Sequence, residues 1–446
     1  MSFQSIQRFA NLFHNWNGSE QNDPSMSKTM RPSRGSVFVV NSSIVYWRQT
    51  VLATPALWSN VDISPPWNLS AIQTYIERSK ESLIDLRLFY DFRSPDEHPS
   101  TDSAHSLAHI LQPHYRRCHT IEVSGVTQTT PAILVVLESM QHSTYPHLRR
   151  FQVEGRERPE PDYHELTLRD APRLTDVRLR GTGLHYFRVP LTNVTELHLA
   201  PMRKSLPYEA FFRMIQLCSA SLITLVIYDR LFVWWREDVA VSRVCDMPSL
   251  RRLHVYGNML AVSELLLTIS APDLEEIAIA PFVGDDLVPL EEDIQRKKSP
   301  RFPKLKTLTL TLSPASGVIE LSLDQAEFCF PGIETLVLPN HYWRDVLHGM
   351  TSRGGIHSMV PRWPQLDSIA VRALDDDFDM LHQFISDRQQ AGAPIRTLYL
   401  DAESVKKLVH CEDLKEMVSI VEADPWLAQQ SAAFYSEQKL RFLGDH

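Results

Sequence analysis

"MPSLRRLHV", residues 247–255, sets three aliphatic positions, Leu250, Leu253 and Val255, in the order L-x-x-L-x-L behind a proline. The phrase returns as "YPHLRRFQV" (145–153), "APRLTDVRL" (171–179), "LTNVTELHL" (191–199), "SASLITLVI" (219–227), "APDLEEIAI" (271–279), "FPKLKTLTL" (302–310), "FPGIETLVL" (330–338) and "WPQLDSIAV" (363–371). Weaker copies begin at Leu83, Cys118 and Ile395, and Trp58-x-x-Val61-x-Ile63 makes a passable first one. From 83 to 395 the first positions lie 20 to 35 residues apart and about 28 on average, within or near the roughly 20–29 residues of a leucine-rich repeat.

The last two aliphatic positions alternate with polar ones, so each copy predicts a short strand with one buried face. Proline cannot donate to a ladder and suits the residues just before a strand. Between copies lie segments with apolar residues three and four apart, such as 71–79, 209–218, 262–269 and 378–388, which predict helices. Strand, helix and strand in so short a period implies a right-handed crossover and a parallel sheet. The expected fold is therefore α/β: a leucine-rich-repeat-like solenoid over 58–402, with one parallel strand per irregular repeat and the helices on its outer face. Residues 1–43, rich in Ser, Asn, Gln, Met and Arg without periodicity, are expected to be disordered. Residues 44–58 read as a short amphipathic helical segment ended by Thr54-Pro55. Residues 403–446 read as a C-terminal helical cap that buries Trp426, Phe434, Tyr435, Leu440 and Phe442.

Composition narrows the class. Hydrophobic residues at 43% and charged ones at 22% of 446 residues suit a chain that buries a core. A formal net charge of -9 leaves no bulk basic footprint for nucleic acid. The longest apolar run, "PAILVVL" at 131–137, is far below the roughly 20 residues of a membrane span. Five scattered cysteines without a C-x-x-C pair fit reduced thiols, and hence a cytoplasmic or nuclear location.

Motifs for chemistry are scarce. The sequence holds no G-x-S-x-G, no H-E-x-x-H and no phosphate-binding glycine loop, so no catalytic, cofactor-binding or metal residues are expected. His105 and His109 share a helical face, but Ser106 stands where a zinc protease needs Glu, and they read as surface histidines. "DDDFD" (375–379) reads as a helix N-terminus, where Asp caps and favours the macrodipole. "RLFVWWRED" (230–238), with Trp234-Trp235, reads as a packed connecting segment.

The stretch "WRQTVLATPALWSNV" (47–61) resembles the second half of the F-box in F-box proteins of mushroom-forming (agaricomycete) fungi, whose pattern runs C-R-x-W-R-x-I-A-L-x-T-P-x-L-W-S-x-I. Trp47, Arg48, Leu52, Thr54, Pro55, Leu57, Trp58 and Ser59 match it nearly in register, and "IERSKESLIDLRL" (76–88) is similar to the segment that follows. The L-P-x-E-[LIV] start of the box does not occur in residues 1–43. The resemblance implies a substrate-recognition subunit of a cullin–RING ubiquitin ligase. In that reading Trp47, Val51, Leu52, Pro55, Leu57 and Trp58 face a Skp-type adaptor, and the repeats hold a target protein. The alternative is a non-enzymatic interaction scaffold that does not dock to the adaptor.

The positions between the leucines point away from the buried face. Across the middle repeats they bring Arg150, Arg178, Arg180, His198, Tyr228, Arg252, His254 and Tyr256 side by side. These are the expected partner-binding residues, and Arg there suits an acidic or phosphorylated segment.

Overall fold

The computed structural model describes residues 46–64, 66–90, 99–126, 131–155, 166–181, 184, 187–200, 206–228, 243–256, 260–282, 287–312, 319–339, 343–351, 361–372, 378–408 and 411–423. The expectations for 1–43, for Trp234-Trp235 and for the cap residues 424–446 lie outside these. The chain falls into two compact units, the first of residues 1–155, 164–174 and 187–190, and the second of the remainder.

In the first unit, helix α1 (46–53) and a 3-10 turn, Pro55–Trp58, lead into strand β1, Asn60–Ile63. Helix α2 (Leu69–Ser79), β2 (Ile84–Phe89), α3 (Thr101–Leu111), β3 (Cys118–Val126), α4 (Pro131–Ser139) and β4 (Arg150–Gly155) follow. Each strand pairs parallel to the one before it, and Val61, Leu86, Ile121 and Phe151 stand in register. A two-residue parallel pair, Leu166–Thr167 with Phe187–Arg188, belongs to the same unit.

The second unit repeats the scheme. Its strands are β5 (Asp176–Gly181), β6 (Glu196–Ala200), β7 (Thr224–Tyr228), β8 (Arg252–Tyr256), β9 (Glu276–Phe282), β10 (Thr307–Leu312), β11 (Thr335–Leu338), β12 (Ser368–Val371), β13 (Thr397–Leu400) and β14 (Ser419–Glu422). They neighbour one another in chain order, all parallel. The helices are α5 (Tyr208–Cys218), α6 (Leu260–Thr268), α7 (Val288–Lys297), α8 (Ile319–Cys329), α9 (Trp343–Thr351), α10 (Phe378–Gln390), α11 (Ala402–Lys407) and α12 (Glu412–Met417). From α6 to α10 each packs on the next. Crossovers of one hand between strands laid down in one direction put every helix on the same side of the sheet. The second aliphatic position of the phrase (Val177, Leu197, Leu225, Leu253, Ile277, Leu308, Leu336, Ile369 and Leu398) forms one buried row across nine strands.

The proline has a sharper role than strand entry. In Ala171-Pro172-Arg173-Leu174, Met247-Pro248-Ser249-Leu250, Ala271-Pro272-Asp273-Leu274, Phe302-Pro303-Lys304-Leu305 and Trp363-Pro364-Gln365-Leu366, the first leucine's N–H donates to the carbonyl three residues back. Each is a four-residue turn with proline at its second position, where the ring presets φ. The residue before the proline is buried in every case. The repeating unit is thus an anchored corner followed by a strand.

The series also runs past residue 402, where the sequence predicts only a helical cap. Two short helices and β14 form one more unit, and Ser419, Ile420 and Val421 pair with Thr397, Leu398 and Tyr399. Glu422 stands where the third aliphatic residue belongs, which hides this copy from a search for leucines.

Two buried arginines, Arg117 and Arg388, and the largely enclosed Arg301 tie the corners to the helices. Arg117 donates to the Ser82 and Ile76 carbonyls at 3.1 and 3.4 Å. Arg301 donates to the carbonyls of Leu266 (2.8 Å), Leu267 and Ile269 (3.1 Å), at the end of α6. Arg388 in α10 donates to Arg362, Trp363, Leu366 and Ala393 carbonyls at 2.7 to 3.3 Å. Helix ends and corners leave carbonyls without backbone partners, and a planar guanidinium meets several at once.

Candidate functional site

Helix α1 carries its apolar side chains outward: Trp47 is 50% and Leu52 37% exposed, while Val51, Pro55 and Leu57 are half-buried. Trp58 differs from the other five expected adaptor contacts because it is buried. Its indole N–H donates to the Val51 carbonyl at 2.8 Å. Its ring meets Tyr75 edge-on at 5.0 Å and lies under Arg78 at 4.5 Å. Trp58 therefore fastens the segment to α2 through aromatic and cation–π contact and is a structural anchor. The pairing of an anchored turn with an exposed Trp47-Leu52 edge makes a small apolar ledge ahead of β1.

The second candidate surface is the helix-free face of β5 to β9. Parallel register lays its side chains out in rows. One row runs Asp176, Glu196, Thr224, Arg252, Glu276; the next runs Arg178, His198, Val226, His254, Ala278. A third holds Tyr228, Tyr256 and Ala280. Of the eight expected partner-binding residues, seven lie on this unit; Arg150 lies on β4 of the other.

The rows correct the picture of a basic patch. Arg178 donates from Nε and Nη2 to the two Asp176 carboxylate oxygens at 3.0 and 3.2 Å, and its guanidinium lies 3.9 Å from Glu196. Arg252 donates to the Thr224 hydroxyl at 3.0 Å. His254 Nε2 is 2.8 Å from Glu276 Oε1. Burial works to raise the Glu276 carboxyl, but the His254 hydrogen bond and the nearby Arg252 charge outweigh it and leave the group below its ordinary range. Acidic residues at the intervening positions thus offset the cations, and the face is polar and mixed in charge.

Aromatic groups adjoin it. Tyr228 stacks on Tyr256 at 5.1 Å and 19° between planes, and His254 meets Tyr256 edge-on at 6.1 Å. Val226, Tyr256 and Ala280 form an apolar cluster on which Tyr228 packs. Tyr256, expected as a contact residue, is buried within it. The sequence places Asp176 and Glu196 at outward positions of this surface, but neither they nor Glu276 are among the expected contact residues.

Asp176, Glu196 and His198 bring three donor atoms within 4.8 Å of one another. The guanidinium of Arg178 already occupies both Asp176 oxygens, so a cation would have to displace it. Four cysteine thiols are buried, and burial pushes Cys118, Cys218 and Cys329 up to about 12 and Cys245 to about 11, which makes them packing groups. His105 and His109 on α3 are both exposed, and Asp379 lies in the first turn of α10.

No protein-family model matches the chain, and no curated protein matches it. Among the described residues no helix is long and apolar enough to cross a membrane.

Proposed function

We propose that the chain is a non-enzymatic recognition scaffold, a leucine-rich-repeat-like solenoid that presents the helix-free strand face to a target protein and the α1 ledge to an adaptor. In its fullest form this is the F-box-like substrate receptor of a cullin–RING ubiquitin ligase. The observation that carries the reading is the pair of separate surfaces. Trp47 and Leu52 stand exposed on a segment anchored by Trp58, and polar rows flanked by stacked tyrosines line the face of the second unit. Tyr and Arg are residue types enriched where proteins meet. The carboxylates beside Arg178 and His254 favour a target of mixed charge over a purely acidic segment.

Two experiments divide the reading. A pull-down of the full chain with a Skp-type adaptor is expected to succeed and to lose most of its yield in Trp47→Ala plus Leu52→Ala, with the far-UV spectrum unchanged. Failure of the native chain to bind leaves the scaffold without the ligase role. Separately, Arg178→Glu plus Arg252→Glu raises the acidic groups in the two adjacent rows from three to five. It is expected to weaken capture of the target about tenfold or more, since like charges at an interface cost several kcal/mol. Equal capture by the double variant rules out this face.

A further inference from the structure

Asp176, Glu196 and His198 stand on adjacent strands in fixed register, with Asp176 opposite Glu196 and Arg178 opposite His198. Side chains two apart on a strand share a face, so all four meet on the helix-free side. One donor atom from each of Asp176, Glu196 and His198, two carboxylate oxygens and an imidazole nitrogen, lie within 4.8 Å of one another. Asp176 is the deepest, its side chain only 10% exposed. A carboxylate so enclosed calls for a cation beside it. Arg178 supplies one, at 3.0 and 3.2 Å from the Asp176 oxygens and 3.9 Å from Glu196. The cluster therefore already gathers positive charge between its two carboxylates.

That occupant can be exchanged. The Arg178 side chain is 36% exposed, and an ion pair open to solvent is worth no more than about a fivefold factor. A metal ion engages three ligands at once, and the donor set selects which metal. Imidazole nitrogen with carboxylate oxygen suits zinc, which takes both at about 2.0–2.2 Å and leaves a fourth position open when three ligands come from protein. Magnesium and calcium take oxygen donors. Tetrahedral angles at those bond lengths set the donors about 3.4 Å apart. Glu196 and His198 are partly exposed, and rotation of their side chains closes the remaining distance.

We propose that Asp176, Glu196 and His198 form a zinc site in which the ion takes the place of the Arg178 guanidinium. The site stands independently of the recognition reading, but one consequence rests on it. With the imidazole neutral, Asp176, Glu196 and Arg178 sum to a charge of -1 (-2 + 1), and the added ion makes it +1 (-1 + 2). Arg178 is released, and Arg180 lies one row further along β5. An acidic or phosphorylated group of a target can then take the open metal position beside these two arginines. Zinc thus turns this end of the face from mixed charge to net positive.

The test titrates zinc into the full chain carrying His105→Ala, His109→Ala and Cys411→Ser, which removes the exposed imidazole pair of α3 and the one cysteine that is not buried. Calorimetry is expected to show a single ion bound with micromolar affinity. His198→Ala is expected to weaken binding on the order of a hundredfold or more, beyond the loss an outer-shell change causes. Arg178→Met is expected to tighten it, by up to about fivefold, because the competing cation is gone. Thermal melts without metal check that both variants fold. No binding by the parent, equal binding by His198→Ala, or weaker binding by folded Arg178→Met would overturn the proposal. X-ray absorption of the unaltered chain with one equivalent of zinc needs no variant. One imidazole and otherwise oxygen ligands are expected; a sulfur ligand or two imidazoles would overturn it. Target capture with and without zinc then tests the consequence alone.

Discussion

Arg388→Met is expected to destabilise the second unit by on the order of 3–5 kcal/mol, the loss typical when a buried charged hydrogen-bonding group is removed and its partners are left behind. Methionine keeps the aliphatic stem, so the loss reads the four carbonyl bonds. Those bonds close the corner Trp363-Pro364-Gln365-Leu366 onto the end of α10. Trp363 sits there at φ 42, in the left-handed region that costs a non-glycine residue about 1–3 kcal/mol. Its indole donates to the Phe330 carbonyl at 2.9 Å, and its backbone N–H to Glu327 at 3.2 Å. The arginine is thus one of three restraints that hold an unfavourable conformation. Arg388→Lys is expected to recover only part of the loss, because an ammonium cannot meet four carbonyls in one plane. Urea unfolding followed by tryptophan fluorescence checks both. A midpoint unmoved by Arg388→Met would mean that water serves those carbonyls equally well.

Asp293→Ala is expected to cost a similar amount, about 3–5 kcal/mol, for a different reason. Asp293 is buried on α7 and receives Arg296 at 2.7 Å, Lys297 at 2.9 Å and Arg301 at 3.2 Å. The first two cations reach solvent; Arg301 is largely enclosed, and without the carboxylate its charge is left to backbone carbonyls alone. Burial works to raise the Asp293 carboxyl, and the bonds from Lys297 and Arg296 outweigh it, so its pKa is lowered. The sign for acid follows. A carboxyl lowered on folding stabilises above its unfolded pKa near 3.9, and that contribution is lost as the pH falls through the folded value. Thermal melts between pH 7 and pH 3 are expected to show a steeper loss for the native chain than for Asp293→Ala. Parallel curves would remove Asp293 from the acid response.

The strands were legible because their signal is local. Leu250, Leu253 and Val255 lie within six residues, and twelve such groups in one phase leave little room for another fold. The helices over 69–79, 208–218 and 378–390 were legible from apolar spacing for the same reason. The corner was only half legible. Proline stood out, but its buried neighbour is Tyr145, Ala171, Met247, Phe302 or Trp363 by turns, a position fixed in place and free in identity. Arg117, Arg301 and Arg388 could not be picked out, since their carbonyl partners lie 22 to 41 residues away for all but Ala393. Of the candidate site, strand alternation placed the side chains of β5 to β8 on one face. It could not say that Tyr256 is buried, that Trp58 anchors its own segment against α2, or that Glu276 pairs with His254, because each of those depends on what another strand or helix supplies.

The anchored corner has a consequence for how such a chain can change over generations. Register is set where a buried residue, a proline and a leucine meet, and the connection between one corner and the next takes no part in it. Inserted residues in that connection cost mainly loop-closure entropy, about 0.6 kcal/mol for each doubling of length. Spacings of 20 to 35 residues can then drift apart in descendants while every strand keeps its neighbour, so new contact loops can be tried at almost any repeat without rebuilding the sheet.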